Sequence, residues 1–170
     1  KGYQYADWLS YESLESHGRS AFFDNNKGKP RPETIDYWNY LSASYWAIDA
    51  GLMGEMAAAT GRDAQIYKDM EAEAKDYLRS TFFDENGCFK TEVLNTMQTP
   101  ALFALKNQLF DGQIKEEMIA RLRENFKNHD NCLQTGFLGT SILMSTLTEN
   151  GMVDIAYELL FQRKNPSWLY

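Results

Sequence analysis

Residues 35–61, "IDYWNYLSASYWAIDAGLMGEMAAATG", decide the fold class of this chain. Trp38, Leu41, Tyr45, Ile48, Leu52 and Met56 step by three and four, the spacing of one face of a helix. Ala57-Ala58-Ala59 prolongs that helix. Gly61 is placed to stop it, because glycine enters the left-handed region without a Cβ clash.

The same period recurs downstream. Asp63 is placed to cap a second helix with the stripe Ile66, Met70, Ala74 and Tyr77, while Glu71, Glu73, Lys75 and Asp76 fall mostly on its wet side. "DENG" at 84–87 predicts a turn, and Cys88-Phe89-Lys90 a brief extended strand. A third helix is expected from Thr96 to Leu109, with Pro100 tolerated in its first turn. A fourth uses Ile114, Met118, Leu122 and Phe126, and "NHDN" at 128–131 reads as a polar loop. A fifth covers Gly136 to Leu147 and is capped at Gly151. A sixth carries Val153, Ala156, Leu159 and Leu160 and ends before Pro166. The expectation is an all-α chain with six helices over 35–165, paired as three antiparallel helical hairpins. No strand–helix alternation suggests a parallel sheet. No helical-repeat signature of roughly 34 or 40 residues recurs. Residues 10–34 are polar, with Gly, Asn and Pro, and read as a long loop before the first helix.

Composition narrows the function. The chain has 170 residues, 44% hydrophobic and 24% charged, as a globular domain does. A net charge of −7 and a pI near 4.9 repel phosphate backbones, so no nucleic-acid partner is expected. "KGKPR" at 27–31 is too short and too diluted to reverse that. No apolar run reaches the roughly 18–20 residues of a membrane span. No positively charged start followed by an apolar run marks the N-terminus, and a mature exported protein would also lack one. Cys88 and Cys132, without a CxxC spacing, are expected to be free thiols. Aromatic residues make up 14%, which suits an aromatic core or a site that stacks flat ligands.

Few residues fit a reactive site. His17 and His129 are not at ligand spacing from each other or from a cysteine, so no metal is expected. GxSxG, GxGxxG and Walker patterns are absent, so no cofactor is expected. What remains is carboxylate beside aromatic. Asp7 and Trp8 in Tyr3-Gln4-Tyr5-Ala6-Asp7-Trp8, with Tyr11 close by, offer a ring face for sugar C–H groups and a carboxylate for hydroxyls. The alternative is that Trp8 and Leu9 anchor a helix end that Asp7 caps. In the 134–168 run, Gly136 and Gly139 flank Phe137-Leu138. They admit close approach either by a ligand or by a packed helix.

Taken together, "YADWL" (5–9) and "TGFLGT…LTENG…AYELL…PSW" (135–168) resemble bacterial α-L-rhamnosidases of glycoside hydrolase family 78. That family writes these runs as "GDWL" and "TGFLGT…PSWG". Residues 56–89, "MAAATGRDAQIYKDMEAEAKDYLRSTFFDENGCF", are similar to its helix–GR-(acidic)-A-x-x-Y–helix unit. The resemblance covers nearly the whole chain and is least typical at 10–34. It implies an (α/α)6 toroid of which three hairpins form about half, making residues 1–170 part of a catalytic domain whose remainder is a partner. It implies inverting hydrolysis of terminal α-L-rhamnose from a glycan or glycoside, using two carboxylates about 6.5–9.5 Å apart. The family's general acid lies upstream of its "GDWL" run and its general base after "PSW". Both catalytic groups are therefore expected outside this chain. Trp8 matches the family tryptophan that packs on the sugar ring, and Asp7 matches its neighbour, so these two are the expected substrate-binding residues. Polysaccharide-degrading relatives are commonly exported, which implies a periplasmic or secreted location. Ala6, Cys132 and Ser141 depart from the family's usual Gly, His and Pro, which leaves open a related deoxy or uronic sugar. Two other readings also remain open: a helical-hairpin binding module and a different (α/α)6 carbohydrate-active enzyme.

Overall fold

The structure, a computed structural model, describes residues 32–170. Its elements are α1 (Pro32–Ala59), α2 (Gln65–Phe82), α3 (Glu92–Asn95), α4 (Gln98–Lys106), α5 (Gly112–Asn128), α6 (Phe137–Glu149) and α7 (Val153–Phe161). Six of them match the expected helices, and α3 is an additional single turn. α1 starts at Pro32, so the last residues of the expected 10–34 loop are already helical. Cys88–Lys90 does not form a strand; Phe83 and Phe89 make one isolated antiparallel bridge.

Helices α1/α2, α4/α5 and α6/α7 form three hairpins. α1 also packs on α4, and α4 on α6, so these three make an inner row. α2, α5 and α7 form the outer row, each against its own partner. This is the layering of about half an (α/α)6 toroid.

The outer helix α5 buries Met118, Leu122 and Phe126, as its periodicity predicts. Elsewhere the buried face overlaps the expected one only in part, with Leu41, Ala74, Ala156 and Leu159 buried as expected. α2 buries Ala74, Leu78 and Phe82, while Ile66, Met70 and Tyr77 are exposed. α1 buries Tyr37, Tyr40, Leu41, Ser44 and Ala47, and Leu52 and Met56 are exposed. α7 buries Ile155, Ala156 and Leu159 and leaves Val153 and Leu160 exposed. Helix length explains much of this. α1 has 28 residues and α4 has 9, about 42 Å against about 14 Å. The distal parts of α1 and α2 therefore reach past α4, and their apolar side chains meet no inner neighbour among the described residues. The two long helices also approach closely. A Cβ at Gly51 would lie 3.3 Å from the Glu71 side chain, and one at Gly54 would lie 3.6 Å from Tyr67.

The helix ends share one device. After α1, Arg62 N–H donates to Ala57 O (2.8 Å) and Gly61 N–H to Ala58 O (3.1 Å), with Gly61 at φ +68°. Gly151, at φ +73°, closes α6 in the same way through Met152 N–H to Leu147 O (2.8 Å). Both glycines stop their helices as expected. The same closure occurs on non-glycine residues after α4 (Gln108, φ +52°) and α5 (Asp130, φ +55°). At the start of α2, the Asp63 carboxylate accepts from Gln65 N–H at 2.8 Å, which serves as the expected cap.

The core centres on Tyr40, which is fully buried. Its ring meets Phe82, Phe83 and Phe89 edge-on, with centroids 5.4, 5.9 and 5.0 Å away. Asp84 holds the adjoining turn. Its Oδ1 accepts from Asn86 N–H and Cys88 N–H, both at 2.9 Å.

Candidate functional site

Antiparallel hairpins create two unequal rims. Inner helices lead into outer ones through the short turns 60–64, 107–111 and 150–152. Outer helices return to inner ones through the longer segments 83–97 and 129–136, and 162–170 leaves α7 on that same rim. Longer loops on a rigid scaffold are where binding groups concentrate. The N-termini of α4 and α6 point to this rim, bringing the positive end of each helix dipole.

Gln98, Thr99, Gln134 and Thr135 are all buried here. Buried polar side chains are the exception that carries information. Gln98, the first residue of α4, sends its amide across to residues 132–134. Its Nε2 donates to Cys132 O at 3.3 Å, and Gln134 N–H donates to its Oε1 at 3.0 Å. On the opposite edge of that segment, Leu133 N–H donates to Pro166 O at 3.1 Å. The two loops are tied again by Gln162 Nε2 donating to Asp130 O (2.8 Å) and by the Lys164–Asp130 ion pair (3.2 Å). Next along the chain, the hydroxyls of Thr135 and Thr140 pair at 2.8 Å, and Thr140 N–H donates to Gly136 O at 3.0 Å. Elsewhere on the rim, Thr91 Oγ1 donates to the Asp36 carboxylate at 2.8 Å.

Gly136 and Gly139 are buried, whereas Phe137 between them is 70% exposed. Trp168 and Tyr170 also show their rings to solvent, at 42% and 81%. Rings at a polar rim suit a ligand with C–H faces and hydroxyl edges.

The carboxylates of the described residues lie at or near the surface. No Asp or Glu is among their buried side chains. The Arg123 guanidinium, hydrogen-bonded to Asp154, holds that carboxyl below its ordinary value, the wrong direction for a general acid. Cys88 and Cys132 are free. Burial, followed by the neighbouring Asp130 charge, pushes the Cys132 thiol up, so it is a poor nucleophile. His129 is engaged through Nδ1–H, which donates to Asn125 O at 2.7 Å. Among the described residues no group of three or more His, Cys, Asp or Glu could hold a metal ion, and no helix is long and apolar enough to cross a membrane.

Trp8 and Asp7, the substrate-binding residues expected from sequence, lie outside the described residues, as do Tyr3, Tyr5, Tyr11 and His17. Gln98 had no signal in the sequence. "MQTP" looks like an ordinary polar helix start, and only three-dimensional burial singles the amide out.

The family model for the bacterial alpha-L-rhamnosidase 6 hairpin glycosidase domain matches residues 1–170. An alpha-L-rhamnosidase of Formosa agariphila is 32% identical over 168 residues, covering 98% of this chain and 16% of the relative. One from Streptomyces avermitilis is 32% identical over 168 residues, covering 96% of this chain and 15% of its own length. The crystal structure of the Streptomyces avermitilis enzyme complexed with L-rhamnose matches with a TM-score of 0.71 and 28% identity, over 90% of this chain and 14% of that one. Native alpha-L-rhamnosidase from Aspergillus terreus matches with a TM-score of 0.69 and 27% identity, over 77% of this chain and 15% of that one. The chain thus spans about 16% of the length of the Formosa relative, far less than a whole enzyme of this kind.

Proposed function

We propose a role in hydrolysing terminal α-L-rhamnose from glycans or glycosides, because the chain belongs to the family of the bacterial alpha-L-rhamnosidase six-hairpin glycosidase domain. Residues 1–170 are part of the catalytic (α/α)6 domain and supply a wall of the sugar subsite. The reaction inverts the anomeric centre. One carboxylic acid protonates the leaving oxygen while a carboxylate on the other face activates water. Both groups come from parts of the domain outside this chain, a reading supported by the small share of the relatives' length that the chain spans. Trp8 packs its ring on the apolar face of the rhamnose, and Asp7 receives a sugar hydroxyl or holds the tryptophan in place.

The observation that carries this reading is the match of the whole chain to the family, with about a third of the aligned positions identical to enzymes named alpha-L-rhamnosidase. The test is turnover of aryl α-L-rhamnoside by the full-length protein, beside aryl glycosides of other deoxy and uronic sugars. The rhamnoside should be preferred. No turnover, or preference for another sugar, would overturn the reading. The 170-residue chain alone should be inactive, and robust turnover by it would overturn the placement of both carboxylates.

A further inference from the structure

We infer that Gln98 is a positioning residue for the sugar-facing rim: its buried amide sets the register of residues 132–134, and through them the placement of Phe137. The inference rests on the rhamnosidase reading above.

The amide behaves as a one-residue surrogate strand. An extended segment presents a C=O and, two residues later, an N–H on the same edge. Gln98 meets both, accepting from Gln134 N–H and donating to Cys132 O. The orientation of the amide is not ambiguous, since a backbone N–H only donates and a carbonyl only accepts. On the other edge Leu133 N–H is taken by Pro166 O. Residues 132–134 are thus held between the first residue of an inner helix and the segment after α7. The held segment runs straight into the Thr135–Thr140 pair and the first turn of α6, where Phe137 stands exposed. Gln98 is itself fully buried, so its position is fixed by packing before it fixes anything else. A hydrophobic replacement would strand one buried donor and one buried acceptor, and a carboxylate would face a carbonyl. Only a side chain with both functions satisfies the site.

Glutamate at this position gives a switchable test. A protonated carboxyl has the shape of the amide, and its O–H donates to Cys132 O while its C=O accepts from Gln134 N–H. Burial keeps such a carboxyl protonated to higher pH than in water. In the full-length enzyme, Gln98→Leu should raise KM for aryl α-L-rhamnoside at least tenfold with a smaller change in kcat. Gln98→Glu should approach wild-type KM at low pH and lose that recovery as pH rises, adding to its profile a limb that the wild type lacks. A Gln98→Glu profile parallel to wild type, with KM unchanged in both variants, would overturn the inference. Should Gln98→Leu fail to fold, the pH-dependent recovery of Gln98→Glu decides alone. If the wild type shows no rhamnosidase activity, the functional reading falls. The clasp is then judged by amide exchange at Gln134, which Gln98→Leu should accelerate at least tenfold. Unchanged exchange would overturn the clasp.

Discussion

Tyr40 donates its hydroxyl hydrogen to Pro100 O at 2.9 Å, across 60 residues of sequence. That bond joins α1 to the first turn of α4, while the Tyr40 ring touches the end of α2 and the turn beyond it. Tyr40→Phe keeps the rings packed and removes only this hydrogen bond, the Pro100 carbonyl remaining inside helix α4. It should cost about 1–2 kcal/mol in denaturant unfolding, and Tyr40→Ala about 3–5 kcal/mol.

Burial also pushes the Tyr40 phenol well above its ordinary value of 10.0. Above that pH the unfolded chain loses a proton that the folded one keeps, so folding stability falls as pH rises past about 10. Tyr40→Phe should flatten the Tyr40 share of that alkaline decline. Unfolding curves between neutral pH and pH 11, compared for the two proteins, check it.

Gly87 sits at φ +67°, and a Cβ there would come within 2.4 Å of Ile114 Cγ2. Gly87→Ala combines left-handed strain with a clash and should cost about 2–4 kcal/mol. Removing the obstructing methyl with Ile114→Ala relieves only the clash. The double variant should therefore be less destabilised than the sum of the two single ones, as a double-mutant cycle would measure.

Gln108 occupies a left-handed position, φ +52°, that glycine fills after α1 and α6. Gln108→Gly should stabilise the protein by about 0.5–1 kcal/mol. Gly61→Ala and Gly151→Ala should destabilise it by about 1 kcal/mol, although nothing lies within 4 Å of either added methyl. Thermal midpoints should move by about 2–4 °C per kcal/mol for a chain of this size.

Arg123 grips Asp154 with both guanidinium nitrogens, at 2.6 and 3.0 Å, and tethers α5 to the start of α7. The depressed carboxyl makes this contribution present above its ordinary value of 3.8 and lost as pH falls through the lower folded value. The side chains are 37% and 62% exposed, so solvent screening limits the pair to a few tenths up to about 1 kcal/mol. Asp154→Asn should remove that acid-side loss and weaken the protein slightly at neutral pH, as acid titration of both proteins would record.

Periodicity located every long helix, and glycine marked two of the four left-handed helix ends. Gln108 makes the same closure without a sequence sign, whereas Asp130 lies in the "NHDN" run that reads as a polar loop and is of a residue type that tolerates the left-handed region. Burial faces were harder to read. α1 is apolar around much of its circumference, so a stripe through Leu52 and Met56 looked as good as the true face through Tyr40 and Ala47. Which face wins depends on where α4 ends, and no local pattern encodes that. The resemblance runs through "TGFLGT" and "PSW", and the segments that lead into α6 and out of α7 are joined by Leu133 N–H donating to Pro166 O. It could not reveal Gln98, whose role comes from a partner 34 residues away.

The Thr60–Gly61 turn lies on the rim opposite those loops, at the tip of the longest hairpin, with open space where a glycine side chain would be. It is therefore a natural attachment point. A dye or affinity peptide grafted between Gly61 and Arg62 would sit a full hairpin length from the Gln98 clasp, reporting on or immobilising the protein without touching the surface proposed to meet sugar.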